Sequence, residues 1–346
     1  MVSIDPKPLK APQDLIRFYQ GGEARLVQAE LGPARDSFEK ALTAYRKISD
    51  SAGTAGCLLK LGRVLELLGE YDRAQETYQE SLNLYIQLND QLNTARGKAF
   101  LGNVAWAKGD YANAWKFFHE AHLYFKEAED EQSLAWVNAL MGNLYLAEGK
   151  NTEAENCYRE AFVLVQRTGE SQDGDAWNNY HLAALELFRY HIAAAREKFL
   201  SALKIFIRLK DVLGQVSTLV HLSEIAGEQK KWSDAEKYII QALKLVIPTQ
   251  CKPLLADTMT GLARVLKGQG EEQKAIGILM FVLSHPTCRQ QTKDRMVFLL
   301  KTWKAHFSEQ GNESGFKWAK DFTIEEMAAA WLKAFLAKPK SKKTKL

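Results

Sequence analysis

Apolar side chains return along almost the whole chain at intervals of three and four, with polar residues between them, and seldom at intervals of two. That period puts the apolar residues on one side of a helix, whereas strands would alternate. The helical runs break at regular places. In LLGEYDRA, AKGDYANA and AEGKNTEA, the glycines Gly69, Gly109 and Gly149 stand where a helix ends in a left-handed residue. The predicted unit is therefore a helical hairpin.

The hairpins repeat. A small residue follows Leu61, and its equivalents along the chain are Gly62, Gly102, Gly142, Ala183, Ser223 and Ala263, spaced by 40, 40, 41, 40 and 40 residues. Twelve residues after each anchor comes an alanine: Ala74, Ala114, Ala154, Ala195, Ala235 and Ala275. Four further on stands a bulky apolar residue: Tyr78, Phe118, Tyr158, Phe199, Ile239 and Leu279. Ala34 with Phe38 and Ala41 marks a seventh, degraded unit at the front. Small anchors and alanines suit the crossing of two helices at close range. The bulky residue is expected to fill the gap against the next hairpin.

A Leu-Gly pair, a glycine seven residues after the Gly, an alanine five later, Tyr or Phe four beyond it and a final alanine together resemble the tetratricopeptide repeat. The likeness spans about residues 22–285, with a period near 40 rather than the usual 34, as in longer-repeat members that act as signalling adaptors. It implies an all-α fold, a right-handed α-solenoid of about seven hairpins. The stretches 262–300 and 316–335 resemble the C-terminal helical regions of large bacterial signalling ATPases and transcriptional regulators. In those proteins the array serves as a sensor or docking surface beside a nucleotide-binding switch. The expected organisation is a flexible start (1–12), the array (13–285, anchors near 22, 62, 102, 142, 183, 223 and 263), capping helices (286–337) and a disordered basic tail (338–346). A terminal cap is needed because the last repeat would otherwise expose its apolar face. Within it, 287–310 and 323–337 read as amphipathic helices, the second opened by a Thr323–Glu326 capping box.

Charge changes the picture once. The chain carries a net +4, but five lysines (Lys338, Lys340, Lys342, Lys343 and Lys345) lie in the last nine residues, and without them the net charge is −1. A near-neutral body speaks against electrostatic nucleic-acid binding. The alternative reading, a nucleic-acid-associated protein, rests on the lysine tail and on aromatic residues able to stack bases. No apolar run approaches the length of a membrane span and the first residues lack a secretory leader's apolar core, so a cytoplasmic location is expected. The cysteines Cys57, Cys157, Cys251 and Cys288 lie far apart with no CxxC pair, which fits reduced, buried thiols.

Chemistry is sparse. There is no phosphate-binding GxxxxGKS or GxxxxGKT loop, no GxSxG elbow and no HExxH pair, so neither catalysis nor a cofactor is expected. His119 and His122 share a helix face but lack a third metal ligand. Asp173 and Asp175 hint at a calcium loop that lacks its closing glutamate. His181 and His221 recur 40 residues apart, as any two register positions do.

Function in such an array is expected on the inner stripe, formed by positions six and three before each anchor and one and four after it. There stand Arg96, Asn103 and Trp106, then Trp136 and Asn143, then Trp177 and Tyr180, and later Glu224. An asparagine amide can pair with the backbone of an extended peptide whatever its side chains, and tryptophan brings large area with a polar edge. In adaptor-type relatives the asparagine after Leu-Gly does this work, a position matched by Asn103 and Asn143. Chaperone-tail binding is not expected, because its basic positions are Leu59 and Ala99 here. Two readings of the tryptophans stand side by side: a ligand-facing groove, or packing between hairpins. The expected function is a non-catalytic adaptor, scaffold or sensor holding a partner's peptide or helix.

Overall fold

A computed structural model describes residues 11–168, 172–303 and 323–337. The lysine tail, the first ten residues and the far end of the 287–310 helix lie outside them. Among the described residues every regular element is helical, and consecutive helices pack as antiparallel hairpins. They fall into two compact units, one ending at Asn178 and the other beginning at Asn179.

The first unit holds α1 (Ala11–Val27) and α2 (Leu31–Lys47), α3 (Ser51–Leu68) and α4 (Tyr71–Gln87), α5 (Gln91–Lys108) and α6 (Tyr111–Glu127), then α7 (Glu131–Ala147) and α8 (Asn151–Thr168). The helix α9 (Gln172–Phe188) opens in the first unit and closes in the second. The second unit continues with α10 (Ile192–Leu209), α11 (Val212–Glu228), α12 (Trp232–Val246), a 3-10 turn (Ile247–Thr249), α13 (Lys252–Gly268) and α14 (Glu272–Ser284). It ends with α15 (Gln290–Thr302) and α16 (Ile324–Ala337).

The glycine stops hold: Gly69, Gly109 and Gly149 have φ of 78°, 85° and 74°. Between hairpins the chain turns through non-glycine residues instead, Ser49, Asn89, Glu129 and Lys210 at φ 54–58°. After each of these four the next residue is an aspartate whose carboxylate caps the following helix, whereas Gln250, at φ 61°, leads into Cys251, which makes no side-chain cap. Asp50 accepts from the Gly53 amide at 2.8 Å, Asp90 from Asn93 at 3.0 Å, Asp130 from Ser133 at 3.0 Å and Asp211 from Gly214 at 2.9 Å. These caps recur at the repeat period and complete the punctuation of the array.

The glycine anchors admit a ring. A Cβ on Gly62 would stand 2.5 Å from the Tyr78 ring, one on Gly102 2.5 Å from Phe118, and one on Gly142 2.5 Å from Tyr158. Gly22 and Phe38 repeat the contact at 2.7 Å, so the degraded front unit is a complete hairpin. The bulky residue thus packs first on its own hairpin, and only then against the next. Tyr78 stacks on Phe100 with centroids 5.2 Å apart, and Phe199 stacks on His221 at 5.0 Å. Phe100 and His221 both stand two residues before an anchor, so one register position receives the ring of the preceding hairpin.

The cysteine thiols Cys57, Cys251 and Cys288 are buried and Cys157 is half-buried. Burial pushes Cys57 and Cys288 up to about 12 and Cys157 up to about 11, which leaves them protonated and inert. The Thr323–Glu326 capping box forms, with reciprocal bonds of 2.8 and 3.1 Å, and α16 packs on α12 and α13.

Candidate functional site

In the first unit, the first helices of three successive hairpins build one open depression of about 400 Å³. Arg63 comes from α3, Arg96, Phe100 and Asn103 from α5, and Gln132, Ser133 and Trp136 from α7. Arg96, Phe100 and Asn103 lie at i, i+4 and i+7, one face of α5. Phe100 is held between two rings: stacked on Tyr78, and tilted against Trp136 with centroids 4.9 Å apart. The two α5 polar groups therefore flank an aromatic ledge.

The charges around the depression are unequally satisfied. Arg63 donates to Glu66 at 2.8 Å, and the Tyr78 hydroxyl donates to the same carboxylate at 3.0 Å. Burial first, and then the Glu66 charge, push the Tyr78 phenol well above its ordinary range. Arg96 has only an ion pair with Asp130 at 3.6 Å, and 38% of its side chain is exposed. Among the described residues neither the Arg96 guanidinium nor the Asn103 carboxamide makes a hydrogen bond. The wall of the depression carries two guanidinium groups and no carboxylate.

Other stripe residues lie elsewhere. Asn143 accepts from the Tyr158 hydroxyl of its own hairpin at 2.7 Å, so its oxygen is engaged. Trp106 is partly buried against the core formed by Phe118, Phe125, Val137 and Leu144. Trp177 is half-buried. Leu59 and Ala99, where a tail-binding clamp needs basic side chains, are buried.

Tyr180 and Glu224 belong to the second unit, where α15 covers the stripe. Arg295 of α15 pairs with Glu224 at 2.7 Å, and Arg264 of α13 pairs with the same carboxylate. Arg289, just before α15, pairs with Asp257, and the Thr292 hydroxyl donates to Asp257 at 2.5 Å. His221 bridges the Tyr180 hydroxyl at 3.1 Å and Glu224 at 3.2 Å. Burial alone would raise the Glu224 carboxyl, but Arg295, His221 and Arg264 hold it well below the usual range. Burial raises the Tyr180 phenol. Beyond this ionic lid, Trp232, Phe298 and Trp303 line a pocket of about 470 Å³ with Arg264 and Lys267. Nothing in the sequence pattern marks the contact between α15 and the stripe, since its partners are far apart in the chain.

The remaining candidates stay apart. No group of three or more metal-ligating side chains occurs among the described residues. His119 is exposed, while His122 is half-buried and pushed below its ordinary value by burial and by Lys126. Asp175 accepts from Gln166 at 2.6 Å, and the side chain of Asp173 lies outside the described residues. No described helix is long and apolar enough to cross a membrane.

Residues 26–87 and 137–162 match the tetratricopeptide repeat family, and these segments are tetratricopeptide repeats. No curated protein matches the chain. Among solved structures, the Rap conjugation gene regulator of plasmid pLS20, in complex with the Phr* peptide, is similar at 13% identity, with 86% of this chain and 82% of that one covered and a TM-score of 0.66. NprR in complex with its cognate peptide NprX is similar at 11% identity, 95% and 89% coverage and a TM-score of 0.64. A Rap protein complexed with competence and sporulation factor is similar at 14% identity, 84% and 78% coverage and a TM-score of 0.61. At these identities the likeness is one of fold.

Proposed function

We propose that this chain is a non-catalytic interaction module that holds an extended peptide, or a helix of a partner protein, in the depression of its first unit, and thereby regulates a signalling or effector partner. One observation carries the reading: Arg96, Asn103 and Trp136 converge from two hairpins on a single open surface, and two of their polar groups make no hydrogen bond among the described residues. Hydrogen-bonding capacity held on rigid helices beside an aromatic ledge is suited to a partner's backbone. The peptide complexes of the structurally similar Rap regulator and NprR support the same reading. In the second unit Glu224 and Asp257 are engaged by α15, so the ligand is assigned to the first unit.

The test is affinity capture from native lysate with the wild type and with an Asn103→Ala, Trp136→Ala double variant of unchanged helicity. Loss of a specific partner with the variant supports the groove. Retention of every partner moves the interaction to another face.

A further inference from the structure

We infer that the ligand of the first-unit depression is an extended peptide carrying an internal acidic side chain, read by Arg96, about three residues from the peptide bond held by Asn103. The inference rests on the proposed groove and adds the chemistry of what fills it. Arg96 presents a planar fork of N–H donors that matches a carboxylate. Its one partner among the described residues, Asp130, is 3.6 Å away and already caps α7 through the Ser133 amide at 3.0 Å. Asp130 therefore orients the guanidinium without using its donors. Arg63 is already paired with Glu66 at 2.8 Å, so the less compensated charge in the wall is Arg96, whose free donors favour an acidic side chain over a basic one.

The spacing follows from the helix. Arg96 and Asn103 are seven residues apart on α5, about 10 Å along its axis. An extended chain covers that distance in about three residues. The intervening side chains then cross the Phe100–Trp136 ledge, which suits apolar groups. The carboxylate is assigned to a side chain and not to the chain end, because the positions that would clamp a terminus are the buried Leu59 and Ala99.

The experiment uses the full chain and a positional-scanning library of synthetic nonapeptides, acetylated and amidated at their ends, read by fluorescence polarisation. The wild type should select Asp or Glu at one position, with about tenfold weaker binding when that residue is Gln. Arg96→Gln should erase the preference, and Arg96→Glu should turn it into a preference for Lys or Arg. Asn103→Ala should weaken binding whatever the peptide sequence. Binding with no acidic preference, or with one that Arg96→Glu leaves unchanged, overturns this inference and leaves the groove standing. A parallel library with free C-termini is read beside the first, and binding confined to that second library overturns the inference in favour of terminal capture. Absence of binding to any member of either library overturns the groove reading and this inference together.

Discussion

Tyr190 holds a left-handed backbone at φ 59°, at the position where other hairpins place Gly69, Gly109, Gly149 and Gly270. A Cβ in that region crowds the following carbonyl, at a cost of about 1–2 kcal/mol. The ring returns little, since 83% of the residue is exposed. The backbone bonds that close the turn, Tyr190 N–H to Leu187 and His191 N–H to Glu186, do not depend on the side chain. Tyr190→Gly is therefore expected to stabilise the second unit by about 1 kcal/mol, after the extra entropy of an unfolded glycine is subtracted. Equilibrium denaturation measures it, and an unchanged or lower midpoint would show that the ring has a role the turn does not explain. The reverse change, Gly149→Ala, puts a Cβ where φ is 74° and should cost a similar amount.

The hairpin is the element on which everything else is built, and its tolerance is set by one contact. Gly102 lets the Phe118 ring lie against the α5 backbone, and a Cβ there would stand 2.5 Å from the ring. Phe118 is fully buried and has nowhere to retreat. Gly102→Ala should cost about 1–3 kcal/mol, and it should also disturb the neighbouring Asn103, so a loss of peptide binding would accompany the loss in denaturation midpoint. The helix α15 is a different kind of element, fixed to the stripe of the second unit by Arg289, Thr292 and Arg295 and by the buried Met296 and Leu300. Removing Arg295 leaves Glu224 with Arg264 and His221 alone. Arg295→Ala should destabilise the docked helix by about 2 kcal/mol, discounted from a fully buried pair because a third of the arginine is exposed. Hydrogen exchange should then rise in α15 before it rises in α11 or α13. The contrast explains what the sequence could disclose. Helix periods, glycine stops, small anchors and the Ala–aromatic spacing are local, so the hairpins were legible, and so was the stripe that carries Arg96, Asn103 and Trp136. The aspartate caps Asp50, Asp90, Asp130 and Asp211 also recur with the repeat and could have been found the same way. Phe100 in the ledge and the arginines of α15 on the stripe answer to contacts between helices, which leave no period to read.

Across the whole molecule, half-buried histidines link stability to acidity. Burial pushes His181 down to about 4 from an ordinary 6.5. His122, in the other unit, and His285, beside Lys252, are also lowered, chiefly by burial. A histidine kept neutral in the folded chain binds a proton more readily once unfolded. Between the two values the unfolded state thus holds more protons, and stability falls as the pH falls. For His181 the penalty is absent above about 6.5, grows down to about 4 and levels off below that. The Glu224 carboxyl acts in a lower window. It is held well below the usual carboxylate range, so the stability it contributes is intact above the ordinary value of 4.5 and is lost only as the pH drops through its folded value. Melting temperatures taken from pH 7.5 to pH 4.5 are expected to decline, with the decline set in this range by the histidines. His181→Gln should flatten the curve above pH 4.5 while Arg295→Ala lowers it throughout. A melting temperature that stays level to pH 4.5 in the wild type would mean that His181 takes up its proton without leaving its place against the core. In that case its neighbours, and not burial, would set its charge.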